Sequence, residues 1–184
     1  MTITIPHPEA ITSAKPAARQ AGALVAYAIR FRQKRPDVNL YVATMRLKDL
    51  LGRFQSDTCE DENPNGYQRP VTASRLRQLS SYMRDEEGML PTSILLCIRQ
   101  PHHALFQPNV EANGKGESGM LTIDQETPLW VVDGQHRLHG LERALKKDKA
   151  KWLADYPLPV VIVEGIDAYE EMRYFHVINT RHKG

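Results

Sequence analysis

The chain has 184 residues, 41% of them hydrophobic, and its 24 lysines and arginines against 22 acidic residues give a net charge of +2. This length favours one domain with a substantial core, and the near balance of charge does not by itself indicate nucleic-acid binding, although local basic clusters remain compatible with it. Two distant cysteines, Cys59 and Cys97, and the lack of any stretch resembling a signal peptide or membrane span argue against secreted and membrane proteins, so a cytoplasmic location is expected.

The first 39 residues are predicted to form an N-terminal arm and a helix. Residues 1–16 are rich in Pro, Thr and Ile without a sustained period, which favours an extended arm. Residues 17–34 predict a helix, because Leu24, Tyr27 and Phe31 recur at helical spacing. The basic residues at the end of this segment are best explained as a solvated helix terminus, with a phosphate-contacting patch as the less favoured alternative.

Residues 40–184 are predicted to form the main domain, beginning with a strand over residues 40–45 and a short helical turn around Leu47. Residues 55–66 are polar and predict a surface loop. A helix is expected over residues 72–86. Its inward side chains are Leu76, Leu79 and Met83, and its outward side chains include Arg75, Arg77 and Arg84.

The second half of this domain alternates predicted strands with loops and helices. The apolar run over residues 93–98 predicts a strand buried on both faces. Residues 101–124 predict an inserted β-hairpin with a mobile glycine-rich tip. Residues 158–163 predict another buried strand, and Asp167 with Glu170 predicts a capping box at the start of the last helix.

The most informative stretch runs from Leu129 to Ala144. Its apolar start meets Asp133-Gly134 and passes into leucines spaced as one helical face, which predicts a strand, a tight turn and a helix. Such a turn can bind an anion, because the first helical N–H groups lack partners and the helix dipole is positive there. Gln135, His136 and Arg137 add hydrogen-bond donors suited to phosphate oxygens.

A purely structural explanation of this turn stays open. Asp133 can simply cap the helix, and Arg137 falls towards the leucine side, where it either forms a buried ion pair or turns back over the helix start. The spacing alone does not decide whether Asp133 and Arg137 stabilise the fold or bind a ligand. No metal site is predicted, because His136 and His139 are three residues apart without the usual His-Glu-x-x-His arrangement.

The order of these parts resembles that of the DGQHR-domain proteins, which include the DndB-type regulators of DNA phosphorothioation. Residues 133–137 spell the signature Asp-Gly-Gln-His-Arg, and the resemblance extends from about Leu40 to Lys183. The order is also similar to the amino-terminal domain of ParB and to sulfiredoxin. The resemblance implies an α/β fold, a mixed sheet with helices of the ParB/sulfiredoxin-like type, in which the hairpin is an insertion.

The resemblance also implies that three groups of residues form one phosphate-binding cleft. These are Gly134, Gln135, His136 and Arg137; Gln68 and Arg69; and Asn179, Thr180 and Arg181. The implied function is a DNA- or nucleotide-phosphate-binding protein with a regulatory or accessory role in a DNA-modification or phage-defence system. Its implied partners are DNA or a nucleotide and other proteins of that system, without a membrane, and a homo-oligomer stays open.

The alternative is a ParB-like nucleotide hydrolase or a nuclease acting in the same cleft, so whether the chain is an enzyme stays open. Asp133 and His136 are the catalytic candidates. Binding requires no cofactor, whereas hydrolysis would use a nucleotide with Mg²⁺, for which Asp133 and Asp124 are the candidate acids, although a cap and a turn explain both. The scarcity of acids favours binding without turnover.

Overall fold

A computed structural model describes residues 22–85, 87–109 and 116–180 of the chain. Its strands are β1 (Leu24–Phe31), β2 (Asn39–Arg46), β3 (Phe54–Gln55), β4 (Ile94–Arg99), β5 (Leu105–Pro108), β6 (Glu117–Ile123), β7 (Leu129–Asp133) and β8 (Pro157–Ile166). Its helices are α1 (Leu47–Leu50), α2 (Ala73–Arg84), α3 (Gln135–Lys146) and α4 (Ala168–Thr180), with a 3-10 helix at Lys151–Asp155.

The strands form one mixed sheet in the order β3-β7-β4-β8-β2-β1-β6-β5. The pairs β3–β7 and β4–β8 are parallel, and the other neighbours are antiparallel. The predicted α/β class with a mixed sheet is therefore confirmed, whereas the closer likeness to ParB and sulfiredoxin stays a prediction. The predicted hairpin is also confirmed, because β5 pairs antiparallel with β6 at one edge of the sheet.

The core lies on both faces of this sheet because successive strand side chains point to opposite sides. On one face, Leu138 and Leu141 of α3 pack with Val131 of β7 in the larger cluster. On the other face, Val132 and Phe175 of α4 belong to a smaller cluster. This alternation places β7, and the turn that follows it, between helices on opposite faces.

The predicted helix over residues 17–34 is wrong in its second half, because Leu24–Phe31 forms strand β1. This strand pairs with β2 through Ala28 and Ala43 and with β6 through Tyr27 and Met120. The same residues also fit a strand, in which side chains alternate between two faces: Leu24 and Ala28 are buried and Tyr27 is exposed. Pairing with strands on both sides satisfies the backbone of this segment, so tertiary structure overrides the local pattern.

The remaining elements follow the prediction closely. Ile94–Arg99 is flanked by strands on both sides, and Pro157–Ile166 contains the second predicted buried strand. At the last helix, the Glu170 N–H donates to Asp167 Oδ1 at 2.8 Å, as a capping box requires. The predicted arm over residues 1–16 and the hairpin tip from 110 to 115 lie outside the described residues, and the division at residue 39 stays a prediction.

Across the described ranges, no helix combines the length and the apolar composition needed to cross a membrane. Helices α2 and α3 approach each other closely at Gly140, where a Cβ atom would lie 2.5 Å from Leu79 Cδ2. Glycine at this position lets the two helices pack tightly. The contact brings the beginning of α2, including Arg75, next to the beginning of α3.

Candidate functional site

The turn between β7 and α3 depends on Gly134, which is the N-cap residue of α3 with φ of 100°. The first hydrogen bond of the helix runs from the Leu138 N–H to the Gly134 carbonyl, at 3.0 Å. The N–H groups of residues 135–137 therefore come before the first hydrogen bond within the helix and point out of its N-terminal end. This is the anion-binding geometry that the strand-turn-helix pattern predicts.

Asp133 does not cap the helix, so that alternative interpretation is wrong. Its Oδ2 atom instead accepts from Arg137 Nη2 at 2.7 Å. Arg137 Nη1 donates to the Thr92 carbonyl at 2.8 Å and to the Ser93 carbonyl at 3.0 Å. Arg137 thus forms the partly buried ion pair that was one of its two predicted roles, and it fastens the turn to the segment before β4.

Replacing Gly134 with alanine is expected to lower the free energy of unfolding by about 1–3 kcal/mol, because an L side chain is strained at this φ. The added Cβ atom would also lie 2.7 Å from Ile94 Cδ1 and 3.1 Å from Arg137 Nη2. Urea denaturation of the two proteins measures the difference. Gly52→Ala is the matched control, because Gly52 also has positive φ but no atom within 4 Å of the added Cβ; equal losses would show that crowding at the turn is unimportant.

The turn opens into a cavity of about 440 Å³ between α2, α3 and α4. Its lining residues are Tyr67, Gln68, Arg69, Arg75, Val132, Asp133, Gly134, Gln135, His136, Arg137, Phe175, His176 and Asn179. The structure therefore brings together seven of the nine residues predicted for the phosphate-binding cleft. The side chain of Thr180 and all of Arg181 lie outside the described part of the chain.

The two glutamines of this cleft contact the protein backbone. Gln68 is 1% exposed, and its Nε2 donates to the carbonyls of Val131 and Val132. Gln135 is 7% exposed, and its Nε2 donates to the Arg69 carbonyl at 2.9 Å. These bonds join residues 67–69 to the turn and give both amides a positioning role, while direct contact with a ligand stays a prediction.

The described lining of the cleft carries a net positive charge, since it includes three arginines and a single carboxylate. Arg137 is paired with Asp133, whereas Arg69 and Arg75 are exposed and form no ion pair with any described residue. Burial, followed by the charges of Arg75 and His139, lowers the pKa of His136 below its usual value of about 6.5. The imidazole is therefore neutral at pH 7, and its buried Nε2 has no hydrogen-bond partner among the described residues.

A buried ionic network that the sequence did not reveal holds one wall of the cleft. Glu171, whose side chain is 0% exposed, accepts from Arg99 Nε at 2.7 Å and from the Tyr67 hydroxyl. Arg99 also donates to Asp57 Oδ2 at 2.7 Å, and its guanidinium lies 3.6 Å from the centre of the Trp130 ring. The network joins α4, β4 and residues 57–67, which no local sequence pattern connects.

Five further lining residues were not among the predicted cleft residues or catalytic candidates: Tyr67, Arg75, Val132, Phe175 and His176. Arg75 was expected on the outer face of its helix, and the signal available for it was the basic charge near a helix start. Asn179 lines the cavity, but its Nδ2 donates to the Phe175 carbonyl of its own helix at 2.9 Å. A second cavity, of about 530 Å³, lies on the other side of α4 and is mainly apolar.

Hydrolysis with a bound metal ion would need several ligating side chains grouped together. Within residues 22–85, 87–109 and 116–180, no three His, Cys, Asp or Glu side chains are grouped so that they could hold a metal ion. Asp124 lies in the turn predicted for it, since its carbonyl accepts from the Thr127 N–H at 3.1 Å. The carboxylate of the other candidate acid, Asp133, already bonds Arg137.

Comparison with known proteins identifies a family that the chain matches. The family model DndB, described as DNA-sulfur modification-associated, matches residues 27–183. The match covers most of the chain and includes every strand from β2 to β8 and all four helices. No curated protein and no solved structure matches the chain.

Proposed function

The chain belongs to the DndB family and so has a role in a DNA-sulfur-modification system, and from this premise we propose that it binds phosphate groups of DNA or of a nucleotide in the cleft at the start of α3. A regulatory or accessory role, in contact with other proteins of that system, is part of the proposal, as is a contribution to phage defence. A cytoplasmic location stays a prediction.

The observation that carries this proposal is the convergence of a helix start with two arginines that have no acidic partner among the described residues. Arg69 and Arg75 line the same cavity as the turn at Gly134. Two neighbouring cations repel each other and favour a bound anion, which the N–H groups at the start of α3 also attract. A phosphate meets both requirements because its oxygens accept several charge-assisted hydrogen bonds at once.

Hydrolysis in the same cleft is the second candidate function, and one observation favours it. The lowered pKa of His136 leaves a neutral imidazole that can accept a proton from water. Asp133, which would have to orient that base or hold a metal, instead bonds Arg137. Binding without turnover is therefore the better supported function.

The proposal is tested by measuring binding and turnover on the same preparation. We expect labelled oligonucleotide or nucleotide to bind at low salt, with no release of phosphate and no strand cleavage above background, with or without Mg²⁺ or Mn²⁺. Multiple-turnover product formation, abolished by His136→Ala or Asp133→Asn in a folded protein, would make hydrolysis the leading function. Absence of binding to any phosphate-bearing probe would contradict the proposal itself.

A further inference from the structure

Two aromatic rings share the cleft with Arg69 and Arg75. The centroids of Tyr67 and Phe175 are 4.9 Å apart, with an angle of 56° between the ring planes. Both side chains are partly exposed and both line the 440 Å³ cavity. The cavity therefore has an aromatic wall in addition to its cationic side chains.

The Tyr67 ring is held in place by bonds that occupy its hydroxyl group and fix its backbone. Its hydroxyl donates to Glu171, which is fully buried and also pairs with Arg99. The backbone beside it is fixed as well, because the Gln68 N–H donates to the Asp57 carbonyl at 3.0 Å. A ligand that meets this wall consequently meets an aromatic ring whose hydroxyl group is already bonded.

We propose that the cleft binds an unpaired nucleotide, with its base against the rings of Tyr67 and Phe175 and its phosphate beside Arg69, Arg75 and the start of α3. This inference rests on the proposed function and specifies its ligand. Aromatic faces beside cations are how proteins hold unpaired bases, since every base has a π face. Within a duplex the bases are stacked on each other, so their faces are inaccessible unless a nucleotide is extruded.

The size of the cavity fits this ligand. A volume of about 440 Å³ lies in the lower part of the range of roughly 300–1,000 Å³ that small-molecule sites occupy. It accommodates one nucleotide and not the cross-section of a duplex. The unpaired nucleotide can be free in solution or part of a single strand, because both sources present the same base and phosphate.

The test compares AMP with ribose 5-phosphate, which has the sugar and phosphate but no base, by isothermal titration calorimetry on the full chain. The wild type is expected to bind AMP more tightly by roughly 5- to 100-fold, as a stacked base contributes. Phe175→Leu is expected to remove this preference while retaining affinity for ribose 5-phosphate. Tyr174→Leu is the matched control, because Tyr174 is the adjacent aromatic residue of α4 but lines the second cavity.

Tyr67→Leu provides a second test should Phe175→Leu not fold. Equal affinities of the wild type for AMP and ribose 5-phosphate would overturn the inference while leaving phosphate binding intact. No affinity for either probe would overturn the proposed function as well.

A single-stranded oligonucleotide and its duplex identify the source of the nucleotide. Tighter binding of the single strand than of AMP assigns the base to a strand, and equal binding assigns it to a free nucleotide; both support the inference. Binding of the duplex as tightly as the single strand would overturn it.

Discussion

Replacing Glu171 with alanine is expected to lower the free energy of unfolding by about 3–5 kcal/mol, the usual cost of removing one partner of a buried ion pair. The substitution leaves the guanidinium of Arg99 with Asp57 as its remaining acid and removes the acceptor of the Tyr67 hydroxyl. It also leaves a cavity at a position that has no solvent exposure.

This loss is measured by urea denaturation and corresponds to a fall in melting temperature on the order of 10 °C for a chain of this size. Asp155→Asn is the matched control. Asp155 is 66% exposed and pairs with Lys48, so its loss is expected to change stability little. If Glu171→Ala destabilised the protein no more than Asp155→Asn, the network would not be what holds α4 against residues 57–67.

The second large effect concerns binding. Replacing Arg69 and Arg75 together with alanine is expected to weaken oligonucleotide or nucleotide binding by at least about 100-fold, because each exposed charge-assisted contact contributes about tenfold or more. The fold should be unaffected, since neither side chain pairs with an acid among the described residues.

The matched control is the double variant Arg77→Ala with Lys151→Ala, which removes the same amount of charge. Both residues are exposed and neither lines the cleft. Circular dichroism checks that both double variants are folded, and fluorescence anisotropy measures their affinities. Equal losses in the two variants would mean that binding follows overall charge and does not depend on the cleft.

The turn at Gly134 could be predicted because its signals are local. An apolar run, a glycine and leucines at helical spacing specify strand, turn and helix from 16 consecutive residues, and the structure has β7, an N-cap with positive φ and α3 in that order. The capping box of Asp167 and Glu170 was predictable for the same reason. Such patterns depend on residues that are neighbours in the chain, so they need no knowledge of the fold.

The features that were missed depend on residues distant in sequence. Strand β1 forms because two other strands supply its partners, which the helical spacing of Leu24, Tyr27 and Phe31 cannot reveal. The cleft wall joins Asp57, Arg99 and Glu171, separated by 42 and 72 residues. The proximity of residues 67–69 to residues 132–137 was implied only by the family resemblance. The two segments are far apart in sequence, so no local pattern predicts that they meet.

The salt dependence of oligonucleotide binding tests the phosphate cleft most directly. If cationic side chains neutralise phosphates there, the logarithm of the association constant should fall linearly with the logarithm of salt concentration. The expected slope for a single strand is about −0.7 for each phosphate contacted. The slope should become less negative by about 1.4 when Arg69 and Arg75 are both replaced, and it should keep its original value in the Arg77 and Lys151 control. Binding that does not respond to salt, or a slope that is the same with and without Arg69 and Arg75, would contradict phosphate binding in this cleft.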